Sequence, residues 1–313
     1  MGMGHVYSGN PLNRGDRERR DDQWLDHVAA DPSSRFLPLH ESNVPVVDVA
    51  AQDGLAQDAQ TAALGWLTAQ EVLRLQVTAT PLFLGLMDGI AHFVIDVSEA
   101  TTDLEASGHR YVDARSATGL LSDAETGIVA QARSQVIWHS RHGFCSICGH
   151  ATTIKRGGQV RQCSHCETEH YPRTDPVVIS LVLDGDRCLL GRSAGRRQPP
   201  NRYSALAGFM DQGESMEEAV AREVMEEAGI EVRNVRYHSS QPWPFPYSLM
   251  IGSHADAATT SISVDYGEMA DVRWFPRDEV ERALRKESET LTIPEPLAIA
   301  HHLIRAWVTG EVA

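Results

Sequence analysis

At 313 residues, with 23% charged side chains and a formal net charge of −15, the chain has the composition of a globular protein with room for two or three domains. The acidic balance argues against nonspecific nucleic-acid binding, while leaving open a nucleotide whose phosphates meet carboxylates through a cation. No apolar run reaches membrane-spanning length, the N-terminus lacks a basic-then-apolar leader, and four of the five cysteines fall in two CxxC pairs, so a reducing, cytoplasmic setting without membrane contact is expected.

Residues 1–31 carry Gly2, Gly4, Gly9 and Gly15 and the charge cluster from Arg17 to Asp22, and read as a loosely ordered arm. Residues 32–140 read as a small β-rich domain. Its apolar runs at 81–86 and 92–95 form strands joined at the Asp88-Gly89 turn. It ends in a helix over 122–140, with Ser122 and Glu125 spaced as a capping box. Residues 141–170 hold the cysteines. From 171 to 313 the pattern changes: a β-rich run at 177–183, a turn at Asp184-Gly185, a strand resuming at Cys188, a polar loop at 193–202, a helix after Ser215, further strands, and a last helix near 296–308.

Cys145-Ser-Ile-Cys148 and Cys163-Ser-His-Cys166 offer four thiolates to one ion, separated by a hairpin-length insert. Four thiolates make the closed tetrahedral set of a structural zinc, with no position left for a reacting water. His142, His150, His165 and His170 lie nearby but find the shell already full. Cys188, in a strand, reads as a small core residue.

The helix after Ser215 is the most informative segment. Ser215 and Glu218 form a capping box, and Gly229 is placed to end the helix. Glu223, Glu226 and Glu227 stand at i, i+3 and i+4, so three carboxylates share one face. Arg222 alone cannot neutralise them, and a hard divalent cation with oxygen ligands resolves the repulsion. The glycine-bounded loop from Gly208 to Gly213 lets backbone approach that site.

Gly208, five residues, Glu214, seven residues, then Arg222-Glu223-Val224-Met225-Glu226-Glu227-Ala228-Gly229-Ile230 resembles the Nudix box at every defining position. The resemblance implies an α/β/α sandwich, Mg²⁺ or Mn²⁺, and hydrolysis of a nucleoside diphosphate linked to another moiety. It gives metal binding to Glu223, Glu226 and Glu227, and their orientation to Arg222. A glutamate beside the cation can take a proton from water, and Glu227 is the first choice of base, with Glu226 second.

Beyond the helix, Ser240-Gln241-Pro242-Trp243-Pro244-Phe245-Pro246-Tyr247-Ser248 alternates prolines with large aromatics, which predicts an extended backbone. Trp243 and Phe245 could flank a flat base, with Gln241 and Ser248 supplying hydrogen bonds. With a four-cysteine ribbon before the box and this run after it, the chain resembles the NADH pyrophosphatase branch of the Nudix hydrolases, whose members also remove NAD caps from RNA. That resemblance adds Ala207, through its carbonyl, and Glu268 to the metal set. It places Tyr171, Phe209, Ala300 and the 241–248 run at the substrate, and implies a homodimer. The hairpin Lys155-Arg156-Gly157-Gly158 departs from the pattern, with no counterpart of the family's acidic contact. The expected architecture is therefore α+β and multidomain: a β-rich N-terminal domain, a zinc ribbon, and a Nudix domain over 171–313. The expected activity is hydrolysis of NAD(H) and of NAD-capped RNA. The rivals are a diphosphatase for ADP-ribose or a similar nucleotide, and a catalytically inactive zinc-ribbon protein that binds nucleic acid.

Overall fold

The computed structural model describes residues 4–49, 61–100, 108–195 and 199–312. The chain divides into two compact units, one of residues 6–173 with 243–247, the other of 1–5, 174–242 and 248–313. Parts of the expected arm (residues 1–3) and of the polar loop (196–198) lie outside the described residues.

In the first unit, α1 (Asp22–Ala30) starts at Asp21, whose carboxylate accepts the Trp24 N–H. There follow β1 (Arg35–Leu39), β2 (Val44–Asp48), β3 (Ala62–Leu64), α2 (Ala69–Leu75), β4 (Leu82–Met87), β5 (Ile90–Asp96), β6 (Arg110–Val112), α3 (Ala114–Ala117) and α4 (Asp123–Arg141). Strands pair in the orders β1-β5-β4 and β3-β2-β6. Asp88 and Gly89 both adopt positive φ between β4 and β5, the geometry a tight hairpin turn needs. The capping box of α4 forms as its spacing predicts, with Ser122 and Glu125 exchanging side-chain and backbone bonds.

The arm is more firmly held than its glycines suggested. Tyr7 and Leu12 are buried, and Arg19 is 1% exposed. The Arg19 guanidinium donates to the carbonyl of Arg14 at 2.6 and 2.8 Å and lies 5.1 Å over the Phe83 ring. A cation satisfied by backbone carbonyls leaves no pairing signature in sequence, so composition alone read the segment as loose. The ribbon follows as β7 (Thr152–Lys155), β8 (Val160–Cys163) and β9 (Glu169–His170), antiparallel in that order.

The second unit contains β10 (Asp175–Asp184), β11 (Arg187–Ser193), β12 (Leu206–Phe209), α5 (Met216–Ala228), β13 (Val232–Trp243), β14 (Ser248–Ala257), β15 (Met269–Pro276), α6 (Arg277–Leu284) and α7 (Ile299–Thr309). Its sheet runs β13-β14-β10-β11-β15, with β12 also on β10. β10 and β14 are parallel, and the β10 pairings to β11 and β12 are antiparallel. Both faces are covered, as period-2 alternation along β10 makes plain. Val178 and Val182 pack with Ala219, Val220 and Val224 of α5, while Ile179 and Leu181 pack with Leu303, Ile304 and Trp307 of α7. Cys188 is fully buried in the second of these cores. Among the described residues, no helix is long and apolar enough to cross a membrane.

Candidate active site

The carboxylate helix is α5. Ser215 and Glu218 close its capping box, and Gly229, at φ 65°, ends it by returning an N–H to the Met225 carbonyl. Val220 and Val224 face the sheet, which turns Glu223, Glu226 and Glu227 toward the loop between β12 and α5.

Arg222 gathers this loop. Its Nε and Nη2 donate to the two oxygens of Glu214 at 2.6 and 2.9 Å, and Nη1 donates to Glu223 at 2.8 Å and Glu226 at 2.9 Å. Nη2 also donates to the Phe209 carbonyl at 2.9 Å. The fork holds the Glu214 carboxyl down at about 2, first through the Arg222 bonds and then through the Asp211 N–H. Those same bonds push the guanidinium up, so it stays charged. The motif fixed Glu214 in sequence without giving it a task. Here it clamps the side of Arg222 away from Glu223 and Glu226.

Glu227 is placed differently. It is 7% exposed, the Ala207 N–H donates to its carboxylate, and its Oε2 is buried without a hydrogen-bond partner. Burial first, then the charges of Glu223 and Glu268, push its carboxyl up to about 8. Glu223 is also raised, chiefly by burial, with Glu226 and Glu268 adding to it against the pull of Arg222. Glu268, just before β15, acts electrostatically on both Glu223 and Glu227, although it stands 41 positions after Glu227 in sequence. The backbone comes as close as the glycines predict: a Cβ on Gly208 would sit 1.9–2.1 Å from the Glu223 carboxylate. An orphaned carboxylate oxygen on Glu227, two acids raised chiefly by burial, and a glycine cradle form a donor set that fits a hard divalent cation.

In the ribbon, the sulfurs of Cys145, Cys148, Cys163 and Cys166 all lie within 4.8 Å of one another. Neighbouring pairs stand at 3.4 to 3.7 Å. Corners of a tetrahedron about 2.3 Å from a zinc would lie about 3.8 Å apart. Backbone N–H groups of Ile147 and His165 point at Cys145 and Cys163, each at 3.4 Å, and His170 Nε2 lies 3.3 Å from the Cys145 sulfur. His150 and His165 stack on each other outside the shell. The four sulfurs form a closed set that fits a structural zinc.

The proline-braced run departs from a wholly extended form. β13 ends at Trp243, a turn occupies 244–247 with a cis Phe245–Pro246 bond, and β14 resumes at Ser248 opposite Asp175. Prolines cannot donate to a ladder, so the strands stop where the prolines crowd. Gln241 is 0% exposed; its Nε2 donates to the Leu297 carbonyl and its Oε1 accepts the Ile299 N–H, both at 2.8 Å. That amide braces the start of α7, where a base-binding role had been expected. Ala300 is likewise buried in α7, and Pro244 and Tyr247 are buried in the turn. Pro242, Trp243, Phe245 and Pro246 are half-buried. Trp243 and Phe245 meet edge to face at 5.2 Å, and the Arg115 guanidinium lies 3.8 Å from the Phe245 ring centre. Phe209 and Tyr171 are exposed, at 61% and 59%, and the Tyr171 hydroxyl donates to Glu169, which also pairs with Arg156.

These features, a four-cysteine ribbon followed in sequence by an α/β/α domain with an arginine-clamped carboxylate helix, define a class that comparison with known proteins identifies. Residues 173–293 match the NUDIX domain, 33–138 the NADH pyrophosphatase-like rudimentary NUDIX domain, and 140–171 the NADH pyrophosphatase zinc ribbon domain. Nudix hydrolase 19, chloroplastic, of Arabidopsis thaliana is 35% identical over 344 residues, covering 90% of this chain and 77% of that protein. The chain belongs to the Nudix hydrolase family. NAD-capped RNA hydrolase NUDT12 of Homo sapiens is 47% identical over 60% of this chain, and the match spans 43% of that relative's length. NAD(P)H pyrophosphatase NUDT13, mitochondrial, of Mus musculus is 43% identical over 66% of this chain and 62% of its own. A NUDIX hydrolase of known structure from Nitrosomonas europaea is similar at TM-score 0.42 and 22% identity, over 53% of this chain and 90% of that one.

Proposed function

We propose that the protein hydrolyses the diphosphate bond of NAD(H) to nicotinamide mononucleotide and AMP, and removes NAD caps from RNA 5′ ends to leave a 5′-monophosphate. The observation that carries the chemistry is the buried, unpartnered Oε2 of Glu227 among three further glutamates. Relatives bearing the NAD-capped RNA hydrolase and NAD(P)H pyrophosphatase names support the choice of dinucleotide.

On this reading Glu223, Glu226, Glu227, Glu268 and the Ala207 carbonyl hold Mg²⁺ or Mn²⁺. The chemistry a bound cation supplies there is neutralisation of the phosphate oxygens and acidification of a water. Arg222 fixes Glu223 and Glu226, and Glu214 fixes Arg222, so the carboxylates keep their places between turnovers. Glu227 takes the proton of the attacking water. Its buried Oε2 has no other partner, whereas Glu226, exposed and already paired with Arg222, suits the task less. Phe209 and Tyr171 carry exposed rings suited to the nicotinamide portion, and the resemblance adds the 241–248 run and Ala300 as substrate contacts. Zinc holds the ribbon and takes no part in the chemistry. A homodimer and a cytoplasmic setting complete the reading, the latter because the four thiolates need a reducing compartment.

The test is a product assay on NADH, with and without Mg²⁺, separating nicotinamide mononucleotide from AMP. Cation-dependent release of both in equal amounts supports the proposal, and an enzyme that cleaves ADP-ribose but leaves NADH intact sinks it.

A further inference from the structure

The turn at 243–247 belongs to the compact unit of residues 6–173, although the strands that enter and leave it, β13 and β14, lie in the Nudix sheet. Its neighbours account for that. Arg133 of α4 donates from Nη1 to the Pro244 carbonyl, and Ser134 donates to the Pro246 carbonyl at 3.2 Å. The guanidiniums of Arg115 and Arg133 both lie on the Phe245 ring, 3.8 and 4.8 Å from its centre. Tyr7 meets Trp243 and Phe245 edge to face at 6.1 and 5.9 Å. Tyr7 is itself fixed, its hydroxyl donating to the Ala114 carbonyl and its N–H to the Thr126 hydroxyl, at 2.9 and 3.0 Å. Tyr247 packs on Ile137 and Trp138 of α4.

A turn with prolines at two of its five positions has few backbone donors of its own, and within it Phe245 N–H reaches back to the Trp243 carbonyl. Its shape therefore depends on donors brought from elsewhere, and these come from α4. Two guanidiniums against one ring also set like charges side by side, with Asp113 the acid that acts on Arg133. Such a pairing gives more order than a plain apolar contact would, because cation–π and carbonyl contacts fix direction as well as distance.

We propose that Arg133 and Arg115 are positioning residues. They hold the 243–247 turn in the form that receives a nucleoside end of the substrate. This rests on the activity proposed above, in which the 241–248 run contacts substrate. Neither arginine needs to touch substrate.

The experiment uses the full chain with Arg133→Ala, Arg133→Lys and Arg115→Ala. Amide hydrogen exchange is followed across 243–250, kcat and KM are measured for NADH, and melting is recorded for each protein. Arg133→Ala should speed exchange in that stretch. It should raise KM by about five- to a hundredfold, the range for loss of one base–aromatic stack, with kcat within about twofold. Arg133→Lys keeps a donor for the Pro244 carbonyl and should recover part of the loss; Arg115→Ala should give a smaller shift of the same kind. Unchanged exchange in both alanine variants would overturn the holding role. Faster exchange with unchanged KM would overturn its link to recognition, as would kcat falling in step with the folded fraction. A wild-type protein inert toward NADH would instead refute the activity, while exchange still decided whether the arginines hold the turn.

Discussion

Gly208→Ala isolates the metal site from the fold. A methyl on Gly208 would stand 1.9–2.1 Å from the atoms of the Glu223 carboxylate, where ordinary contact begins at 3.4 Å. The carboxylate must therefore withdraw by roughly 1.5 Å, and a displacement of that order at a reacting centre costs about a hundredfold in rate. The clash falls on the far end of a flexible side chain, and Gly208 has no positive φ to defend, so β12 can keep its pairing with Val178. The expected outcome is turnover lowered by about a hundredfold, a higher Mg²⁺ concentration for half-maximal rate, and a melting temperature within a few degrees of wild type. Products from NADH are quantified across a Mg²⁺ titration. Gly119→Ala serves as control, because its methyl would meet only the Ser116 carbonyl at 3.8 Å. Full turnover by Gly208→Ala at saturating Mg²⁺ would show that Glu223 need not stand where the glycine lets it stand.

Glu227→Gln keeps the side-chain volume and should lower turnover by at least about a hundredfold through loss of the base; unchanged turnover at saturating Mg²⁺ would remove that role. The same variant carries a pH test. The Glu227 carboxyl is raised by folding to about 8, so the cation-free protein is most stable below the carboxyl's ordinary range and loses that contribution as pH rises through 8. The melting temperature of cation-free wild type should fall relative to Glu227→Gln between about pH 5 and 8, and a constant difference would count against the shift. Cys163→Ser, or zinc chelation, should lower melting temperature or disturb assembly with turnover following; turnover lost from a protein with native melting and oligomeric state would contradict a structural zinc. Trp243→Ala and Phe209→Ala should each weaken NADH hydrolysis by about five- to a hundredfold in kcat/KM while sparing ADP-ribose for whichever acts on the nicotinamide side. Equal losses on both substrates would reduce these rings to supports of the fold.

The chemistry was legible because its contacts are short in sequence. Arg222 meets Glu214 eight residues back and Glu226 four residues on, so one helix and its preceding loop contain most of the carboxylate clamp. The capping boxes at Ser122 and Ser215 form where their spacing put them, since a cap is settled within one turn. The two CxxC pairs bring their own backbone N–H donors to sulfur, and need only a hairpin to meet.

The residues proposed for recognition were harder to read because their partners lie far away in the chain. Gln241 looks like a base-binding amide until α7 supplies both of its bonds from 297 and 299. Trp243 and Phe245 look like free stacking plates until Tyr7, more than two hundred residues earlier, packs edge-on against both. Arg115 and Arg133 carry no local mark at all, for an arginine in a helix reads as a solvated surface residue until the ring beneath it is known. The division has a physical origin. A cation site is built from charges whose repulsion shows within a single helix, whereas a pocket for a nucleoside is built from neutral surfaces whose burial is decided by tertiary packing. Substitutions at 115 and 133 should therefore reach NADH through KM, and those at 208, 222 and 227 through kcat.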